Sequence, residues 1–370
     1  MILASIKLKN FRIHENVELK FAGNLNYIVG GNGQGKTSIL ESIYYLCTTK
    51  SLDAKTDSEV VRFGKEKFEI RGEFIGLTED EVRVIYDKIE MKKFYLLNEK
   101  QLRKSSDVIG RFPVVMLTPA DHAVTQGLPG QRRKFVDSVI SQASNIYLEN
   151  LLDYNRTLKQ RSSLLGKMRE YRSTEMMNEF DAWTEKLIET GTELIERRIK
   201  FIDEFSLYVS ESYYRIMNKK EQPSIGYFYL NGFKNLKVKE HFTKLLKEKK
   251  EDEFRRAANL VGPHKDDFIF TINDVNLKTY GSQGQHKTFQ AVLRFAEFFY
   301  LKDITSKTPL FLLDDVFGEL DAARAHKISD YLKEVGQAFV TLTDFGNFSF
   351  LKKDRDDYLI KLNGGKVVYA

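Results

Sequence analysis

Residues 30–37 read Gly30-Gly31-Asn32-Gly33-Gln34-Gly35-Lys36-Thr37, which fits the phosphate-binding loop pattern G-x-x-x-x-G-K-[ST] at every fixed position. The preceding residues, 25–29, have the apolar character of a buried strand. The following residues, 38–47, place apolar side chains at helical spacing. A strand, a glycine-rich loop and a helix in this order are the context that the motif requires, so the stretch predicts a nucleotide site.

The residue types of this loop suit a bound nucleoside triphosphate. Its glycines let backbone N–H groups curl around a phosphate, and the start of the following helix adds its dipole. Lys36 would place its ammonium between the outer phosphates, and the Thr37 hydroxyl would ligate Mg²⁺. We therefore expect residues 30–37 to bind ATP or GTP with magnesium, and Lys36 to act in catalysis.

Composition sets broad limits on function. The 370 residues suffice for two or three domains, and 58 Lys+Arg against 52 Asp+Glu permit a nucleic-acid partner without demanding one. The single cysteine, Cys47, excludes an internal disulfide and is expected to be buried on the apolar face of the predicted helix. Neither a signal peptide nor an apolar run of membrane-spanning length is visible, so we expect a cytoplasmic protein without a membrane partner.

Hydrophobic patterning predicts a helical segment between two segments that contain strands. Residues 2–21 and 68–97 alternate as antiparallel strands do, whereas the composition is helical from Gln131 to about Asn218. Apolar residues recur there every seven positions, which predicts two long antiparallel helices packed as a hairpin, although a plain helical core would have the same secondary structure. The two series are Leu187, Leu194, Phe201 and Tyr208, and Ile188, Ile195, Ile202 and Val209. Residues 236–258 predict a further charged helix, and strands return after Val261.

The acidic half of a nucleotide site lies near the other end of the chain. An apolar strand, Leu310-Phe311-Leu312-Leu313, ends in Asp314 and Asp315. We expect Asp314 to hold Mg²⁺ through water, and Asp315 to orient or deprotonate the attacking water. Because the helical segment separates this strand from the phosphate-binding loop, the two ends of the chain must fold together. The predicted domains are an N-terminal part of the ATPase domain at 1–126, an inserted helical domain at 127–258 and a C-terminal part at 259–370.

A third stretch also has the chemistry of an anion site. Residues 280–287, Tyr280-Gly281-Ser282-Gln283-Gly284-Gln285-His286-Lys287, open the helix that precedes the acidic strand. A hydroxyl, free helix amides and a lysine meet at this helix start. Since the phosphate-binding loop already serves its own nucleotide, the second site would serve the nucleotide of another copy in an ATP-dependent homodimer. The candidates for this role in trans are Ser282, Gly284, Gln285 and Lys287; a Ser-Gln-Gly capping turn is the alternative.

Together these motifs resemble the ABC-type ATPase heads of the SMC-like repair proteins. Asn10-Phe11-Arg12 is similar to their opening strand, Ser282-Gln283-Gly284-Gln285 to the ABC signature, and residues 315–321 to the acidic strand and the D-loop after it. A short helical hairpin stands where a full SMC protein has a long coiled coil, so the order of elements resembles the RecF family of bacterial recombination mediators. Two stretches that P-loop enzymes in general do not share, residues 127–137 and 262–267, are also similar to that family.

The resemblance implies an α/β fold, with an ABC-type P-loop ATPase head of mixed sheet and helices that is interrupted by an inserted α-helical hairpin domain. It implies ATP as the nucleotide, with Arg12 among its contacts. It also implies binding to single-stranded, gapped or junction DNA, RecO and RecR as partners, and roles in RecA loading and SOS induction. Transporter-associated ATPase subunits, nucleases with an ATPase head, and SMC-like heads with a non-DNA partner are the alternatives.

Three departures from the pattern predict slow, switch-like hydrolysis. Gln283 stands where transporters usually have glycine, and Asp315 stands where fast ABC ATPases have glutamate. Thr343-Asp344, rather than histidine, follows the strand that ends at Leu342.

DNA contacts are expected where basic residues outnumber acidic residues along the chain. The stretch from Arg156 to Arg172 is strongly basic, and a basic helix can neutralise phosphates without reading sequence, although a solvated helix face would look the same. Its candidates are Arg156, Lys159 and Arg161, and a second candidate surface near residues 68–97 carries Lys88, Lys92, Lys93, Lys100, Arg103 and Lys104. His264 and Lys265 are equally consistent with the ATP site, a DNA contact or a structural turn.

Overall fold

Two compact units make up the chain. The head unit contains Met1–Asp121, Glu211–Lys220 and Lys287–Ala370, and the helical unit contains His122–Ser210 and Glu221–His286. The computed structural model describes residues 1–52, 54–217, 221–232, 237–348, 351, 353–363 and 366–369.

Strands and helices have the following bounds. The strands are β1 (Ile2–Phe11), β2 (His14–Lys20), β3 (Leu25–Val29), β4 (Lys67–Ile75), β5 (Glu79–Asp87), β6 (Lys92–Leu97), β7 (Lys100–Gln101), β8 (Val114–Leu117), β9 (Pro223–Phe228), β10 (Asp267–Ile272), β11 (Val275–Asn276), β12 (Leu310–Asp314), β13 (Ala338–Leu342), β14 (Tyr358–Asn363) and β15 (Lys366–Tyr369). The helices are α1 (Lys36–Thr48), α2 (His122–Gln126), α3 (Pro129–Ala143), α4 (Asn145–Met168), α5 (Thr174–Met217), α6 (Val238–Arg256), α7 (Leu277–Tyr280), α8 (Gln283–Thr305) and α9 (Ala322–Leu332).

An antiparallel sheet of the head unit has the order β2-β1-β4-β5-β6-β7. Its strands alternate buried and exposed residues because one face is covered, as the pattern of residues 2–21 and 68–97 predicted. Helix α1 packs closely on this face: a Cβ at Gly72 would come within 2.6 Å of Leu46 Cδ1. Cys47 of the same helix is buried, as predicted, and burial raises the pKa of its thiol.

The second sheet of the head unit positions the candidate site. Its order is β15-β14-β3-β13-β12-β8, and β14, β3, β13, β12 and β8 run parallel. Every residue of β3, β12 and β13 is buried, which is expected of central parallel strands that are covered on both faces. Parallel strands end at the same edge of their sheet. The phosphate-binding loop after β3 and the acidic residues at the end of β12 therefore reach one edge, separated by β13 alone.

The helical unit contains the predicted pair of long helices, α4 and, as far as Ser210, α5. The Asn150 amide on α4 donates to the Thr190 carbonyl of α5, and Arg161 Nε donates to Thr184 Oγ1, so the two helices run antiparallel. Most members of the two heptad series are buried, whereas Ile188 and Tyr208 are half-buried. Helix α6 confirms the predicted charged helix over 238–256. The predicted limits at Asn218 and Leu236 lie outside the described residues.

The helical unit extends beyond the predicted boundary at residue 258. Residues 223–228, which the sequence analysis assigned to no strand, form β9 and pair antiparallel with β10, with Tyr227 opposite Phe268. Because β9 supplies the ladder partner of β10, residues 259–286 group with the helical unit rather than with the head unit. The division on the other side falls after Asp121, close to the predicted limit at 126.

Arg161 is a core residue, so its prediction as a DNA contact is wrong. Its side chain is 1% exposed and its guanidinium donates to Glu253 Oε2 at 2.7 Å, to Asn259 and to Thr184. Glu253 is also fully buried. The arginine lies on the inner face of α4, which the basic composition of the stretch did not reveal. Arg156 and Lys159 lie on the exposed face.

Within the described residues, no helix is long and apolar enough to cross a membrane.

Replacing Arg161 by alanine should lower the free energy of unfolding by about 3–5 kcal/mol, because the Glu253 carboxylate would stay buried without its partner. The double variant Arg161→Met/Glu253→Leu should recover most of this loss, since the unpaired charge is then absent. Arg156→Ala, on the exposed face of the same helix, is the matched control and should change stability by less than about 0.5 kcal/mol. Urea denaturation measures all three. Equal stability of Arg161→Ala and Arg156→Ala would contradict the core role of Arg161.

Candidate nucleotide-binding site

A cavity of about 250 Å³ lies at the edge of the parallel sheet where β3 and β12 end. It is lined by Ile13, Asn32, Gly33, Gly35, Lys36, Thr37, Ser38, Asp314 and Asp315. Residues of the phosphate-binding loop and the acidic strand therefore share one cavity, as the motif spacing predicted. Ile13 and Ser38 are additions that the sequence analysis did not identify.

Gly35 is the point where the loop turns into α1. Its φ of 88° lies in the left-handed region, and a Cβ there would come within 2.5 Å of His14 Nε2. His14 is buried, its Nε2 lies 3.1 Å from the Gly35 carbonyl oxygen, and burial lowers the pKa of its imidazole. The hairpin between β1 and β2 thus packs beneath the loop, a contact that sequence patterning did not predict.

Lys36 holds the loop in shape. Its ammonium donates to the Gly30 carbonyl at 2.7 Å and to the Gly31 carbonyl at 3.1 Å. A lysine ammonium carries three N–H donors, so one donor remains for a phosphate oxygen. The side chain is buried, which strengthens its electrostatic interaction with a phosphate in the cavity.

The two predicted metal ligands are in direct contact. Thr37 Oγ1 donates to Asp314 Oδ1 at 3.0 Å, and Thr341 Oγ1 donates to the same oxygen at 2.8 Å. Burial raises the pKa of Asp314, while the hydrogen bonds from Thr341 and Thr37 lower it. These hard oxygen donors fit Mg²⁺. Among the described residues no group of three or more His, Cys, Asp or Glu side chains could hold a metal, so phosphate and water oxygens would complete its shell.

Asp315 is exposed and lines the cavity. Its φ is 50°, a conformation that aspartate tolerates better than most residues, and its backbone N–H donates to Thr341 Oγ1 at 2.9 Å. Thr341 therefore fixes both acidic residues from the neighbouring strand β13. The sequence analysis recorded that strand but missed Thr341. A hydroxyl inside an apolar run was the available signal.

Arg12, the remaining predicted nucleotide contact, is engaged elsewhere. Its guanidinium donates to both carboxylate oxygens of Glu41 at 2.7 Å, which ties the hairpin to α1. It is not among the residues that line the cavity. Its role as a nucleotide contact stays a prediction.

The signature stretch forms a reciprocal cap at the start of α8. The Gln285 N–H donates to Ser282 Oγ at 3.2 Å, and the Ser282 N–H donates to Gln285 Oε1 at 2.9 Å. Ser282 is exposed, and its hydroxyl proton is not used in this cap, so it can still donate to a phosphate. Gly284 is half-buried. Lys287 lines a smaller cavity of the head unit with Thr118 and Val316.

Comparisons with known proteins agree on one family. The family model described as RecF/RecN/SMC N terminal domain matches residues 2–353. The DNA replication and repair protein RecF of Chloroherpeton thalassium is 38% identical over 362 residues, which cover 95% of this chain and 98% of that protein. The protein of the same name from Clostridium perfringens is 32% identical over 98% of this chain and 99% of that protein.

Solved structures agree as well. One described as "Structure of the recombination mediator protein RecF-ATP in RecFOR pathway" matches with a TM-score of 0.90 and 31% identity, covering 100% of this chain and 97% of that one. The Smc head domain of Pyrococcus furiosus matches with a TM-score of 0.58 at 15% identity, which shows a shared fold. The predicted α/β class, with an ABC-type ATPase head and inserted helices, is confirmed. The chain belongs to the RecF family.

Proposed function

We propose that the chain is an ATP-dependent DNA-binding protein of recombinational repair and replication. The observation that carries this proposal is the cavity in which the phosphate-binding loop meets the acidic end of β12. Similarity to RecF proteins over nearly the whole chain, including a RecF structure with ATP, supports ATP as the nucleotide and DNA repair as the process.

Each cavity residue has a role in this proposal. The loop amides and the Lys36 ammonium would bind the β- and γ-phosphates, and the hydroxyl of Thr37 and, through water, the carboxylate of Asp314 would hold Mg²⁺. Bound Mg²⁺ would neutralise charge on the phosphate oxygens. Asp315 orients or deprotonates the attacking water, for which its exposed position in the cavity is suitable.

Hydrolysis is proposed to be slow and stimulated by DNA. Asp315 is one methylene shorter than the glutamate of fast ABC ATPases. In the segment after β13, Thr343-Asp344 stands in place of their histidine, and the Asp344 carboxylate accepts from the Gly346 N–H at 2.9 Å. Such an enzyme serves as a switch rather than as a motor.

The start of α8 is proposed to act in trans. The exposed Ser282 hydroxyl, the amides around Gly284, the Gln285 side chain and Lys287 would engage the γ-phosphate held by the loop of a second copy. ATP would then bridge a two-fold homodimer with two equivalent sites. Because ADP lacks the γ-phosphate, hydrolysis would loosen the dimer and release DNA.

The exposed face of α4 is proposed to bind the DNA backbone. Residues 154–169 contain no Asp or Glu, and their exposed cations are Arg156, Lys159, Lys167 and Arg169. Small exposed residues, Ser162, Ser163 and Gly166, lie between these cations and let a phosphate backbone approach closely. At 1.5 Å per residue, Arg156 and Lys167 are about 16 Å apart along the helix, which spans several phosphates.

The second candidate surface, on the head unit, has weaker support. Lys93 is half-buried and donates to Asp57 Oδ2 and to the Thr49 carbonyl, both at 2.8 Å. Lys92 pairs with Glu90 at 3.2 Å.

RecO and RecR are proposed as partners, which the RecFOR pathway named for the similar RecF structures supports. Roles in RecA loading and SOS induction are proposed from the family resemblance alone.

Replacing Thr341 by valine tests the acidic pair. The substitution removes a hydrogen bond that favours the Asp314 carboxylate, so the pKa of Asp314 should rise further. Mg²⁺ needs the deprotonated form, so the pH at which Mg²⁺-dependent ATP binding is half-maximal should move upward. At a pH below this midpoint, the affinity for ATP should fall by roughly ten- to a hundredfold relative to the native protein, since a hydrogen bond to a charged group contributes about 1.5–3 kcal/mol. Calorimetric ATP titrations across pH measure this. Thr341→Ser keeps the hydroxyl as a control, and an equal shift in both variants would contradict the assignment.

Mixing two inactive variants tests the site in trans. Lys36→Ala should abolish tight ATP binding, and Ser282→Arg should leave ATP binding by the monomer intact but block dimerisation and hydrolysis. A mixed dimer has one site with both defects and one with neither, so hydrolysis should return in the mixture. A mixture as inactive as its components, together with native hydrolysis that is independent of protein concentration, would show that one chain completes the site.

Charge reversal on α4 tests the DNA surface. Arg156→Glu/Lys159→Glu should weaken ATP-dependent DNA binding and flatten the plot of log affinity against log salt, by about 0.7–0.9 for each phosphate that the variant no longer neutralises. Fluorescence anisotropy with gapped, single-stranded and duplex DNA measures the slope. Lys88→Glu/Lys100→Glu, at two exposed candidates, is the comparison on the head unit. If the salt dependence of DNA binding is native in the α4 variant but flattened in the head variant, the α4 surface is wrong and DNA binds on the head unit.

A further inference from the structure

Two stretches similar to the RecF family, residues 127–137 and 262–267, take no part in the nucleotide cavity, yet the helical unit brings them together. Arg132 Nε and Nη2 donate to the two carboxylate oxygens of Asp267 at 2.7 and 2.9 Å. Arg132 Nη1 also donates to the Gly127 carbonyl at 3.0 Å. One buried guanidinium thus joins the turn before α3 to the start of β10.

A second buried arginine makes the same connection deeper in the unit. Arg198 of α5 pairs with Asp137 at 2.8 and 3.0 Å and donates to the Pro263 carbonyl at 2.9 Å. The two stretches are therefore held in a fixed relative position by charge-assisted hydrogen bonds from two buried guanidinium groups.

His264 is part of this scaffold rather than a free cation. Its Nε2 lies 3.3 Å from the Asn259 carbonyl oxygen and therefore carries the proton, so Nδ1 accepts from the Tyr154 hydroxyl at 2.6 Å. Burial lowers the pKa of His264 to about 4, with further contributions from Lys265, Arg133 and Arg161. The imidazole stays neutral at physiological pH and fixes the turn that presents Lys265.

Three cations of these stretches are not used by the scaffold's ion pairs. Arg133, Lys134 and Lys265 form no ion pair with any carboxylate in the described part of the chain, and both lysines are exposed. Arg133 donates to the backbone carbonyl of Asp266, which places its guanidinium beside the turn that carries Lys265. Burial and the guanidinium of Arg198 lower the pKa of Arg133, while the carboxylates of Asp266, Asp137 and Asp267 raise it.

The carboxylates that interact with Arg133 are already bonded within the scaffold: Asp267 to Arg132, Asp137 to Arg198 and Asp266 to the Tyr227 hydroxyl. Residues 122–136 and 254–265 contain no Asp or Glu. Arg133 and Lys134 lie about one helical turn after Gly130. A Cβ at Gly130 would lie 3.7 Å from Arg133 Nη2, so the glycine leaves this side of the guanidinium uncovered. The positive end of the α3 dipole is at the same place.

We propose that Arg133, Lys134 and Lys265 form a second nucleic-acid contact, the platform, which binds phosphates of the DNA backbone without regard to sequence. The inference rests on the proposed DNA-binding function and adds a contact outside α4. Cations supplied by two separate segments and held in place by a buried scaffold suit a repeating polyanion. The fixed guanidinium can chelate one phosphate, while the mobile lysines contact its neighbours.

Charge reversal of the two exposed lysines tests the platform. In the full-length protein with ATP, Lys134→Glu/Lys265→Glu should weaken binding of gapped and duplex DNA and reduce the salt slope by roughly 1.4–1.8, the sum for two phosphate contacts. The matched control is Lys239→Glu/Lys247→Glu, which makes the same change in net charge on exposed positions of α6. The control should keep the native slope. Thermal unfolding and ATP binding should be native in both variants.

Several outcomes would overturn the platform. One is a native salt slope in the platform variant, and another is an equal loss in the control, which would show a general effect of charge. Loss of the ATP-dependent dimer with a native salt slope would reassign these cations to contacts between protomers. If the native protein binds ATP through Lys36 but binds no DNA, the proposed DNA-binding function is wrong, and the platform, which rests on it, is wrong as well. If only the α4 variants lose DNA binding, the platform is refuted, whereas the proposed DNA-binding function and the α4 contact stand.

Discussion

The candidate site depends on the hydrogen bonds that converge on Asp314. Thr37 donates to this carboxylate from a position 277 residues away in the chain, and Thr341 donates from the strand between them. The first and last segments of the chain thus share one acceptor at one edge of the parallel sheet. Since an unpaired buried carboxylate is costly, the acidic strand and the phosphate-binding loop support each other's geometry before any nucleotide arrives. The predicted catalytic residue, Asp315, takes its position from the same threonine.

Buried charge organises the helical unit in a similar way. Arg132, Arg161 and Arg198 are almost fully buried, and each pairs with a carboxylate. Such pairs contribute little net stability compared with apolar packing, but breaking one is expensive. Their effect is to fix where the surrounding segments lie. Arg133 and Arg156, which lie nearby on the chain, form no ion pair within the described residues and are among the cations proposed to contact DNA.

The proposed action as a switch would use groups that are already in place. The loop, the acidic pair and the cap at the start of α8 are already formed, so nucleotide binding needs little reorganisation within them. Under the proposed function, the free energy of ATP binding would then be available to hold two copies together. A short acidic side chain at position 315 would delay hydrolysis and prolong the joined state.

The sequence by itself determined the fold class and the nucleotide site, because the phosphate-binding loop and the acidic strand are local patterns whose backbone requirements follow from residue type. It also determined the two long helices, whose apolar positions repeat with the period of a helix. Only the tertiary structure decided which basic residues are available to a ligand. Arg156 and Arg161 belong to the same basic stretch, yet one is exposed and the other lies in the core with Glu253, a partner distant in the chain. The role of Thr341, the pairing of β9 with β10, and the union of residues 127–137 with 262–267 were also decided there. The physical reason is common to all of them: each depends on a contact between segments far apart in sequence, which local periodicity and composition do not record.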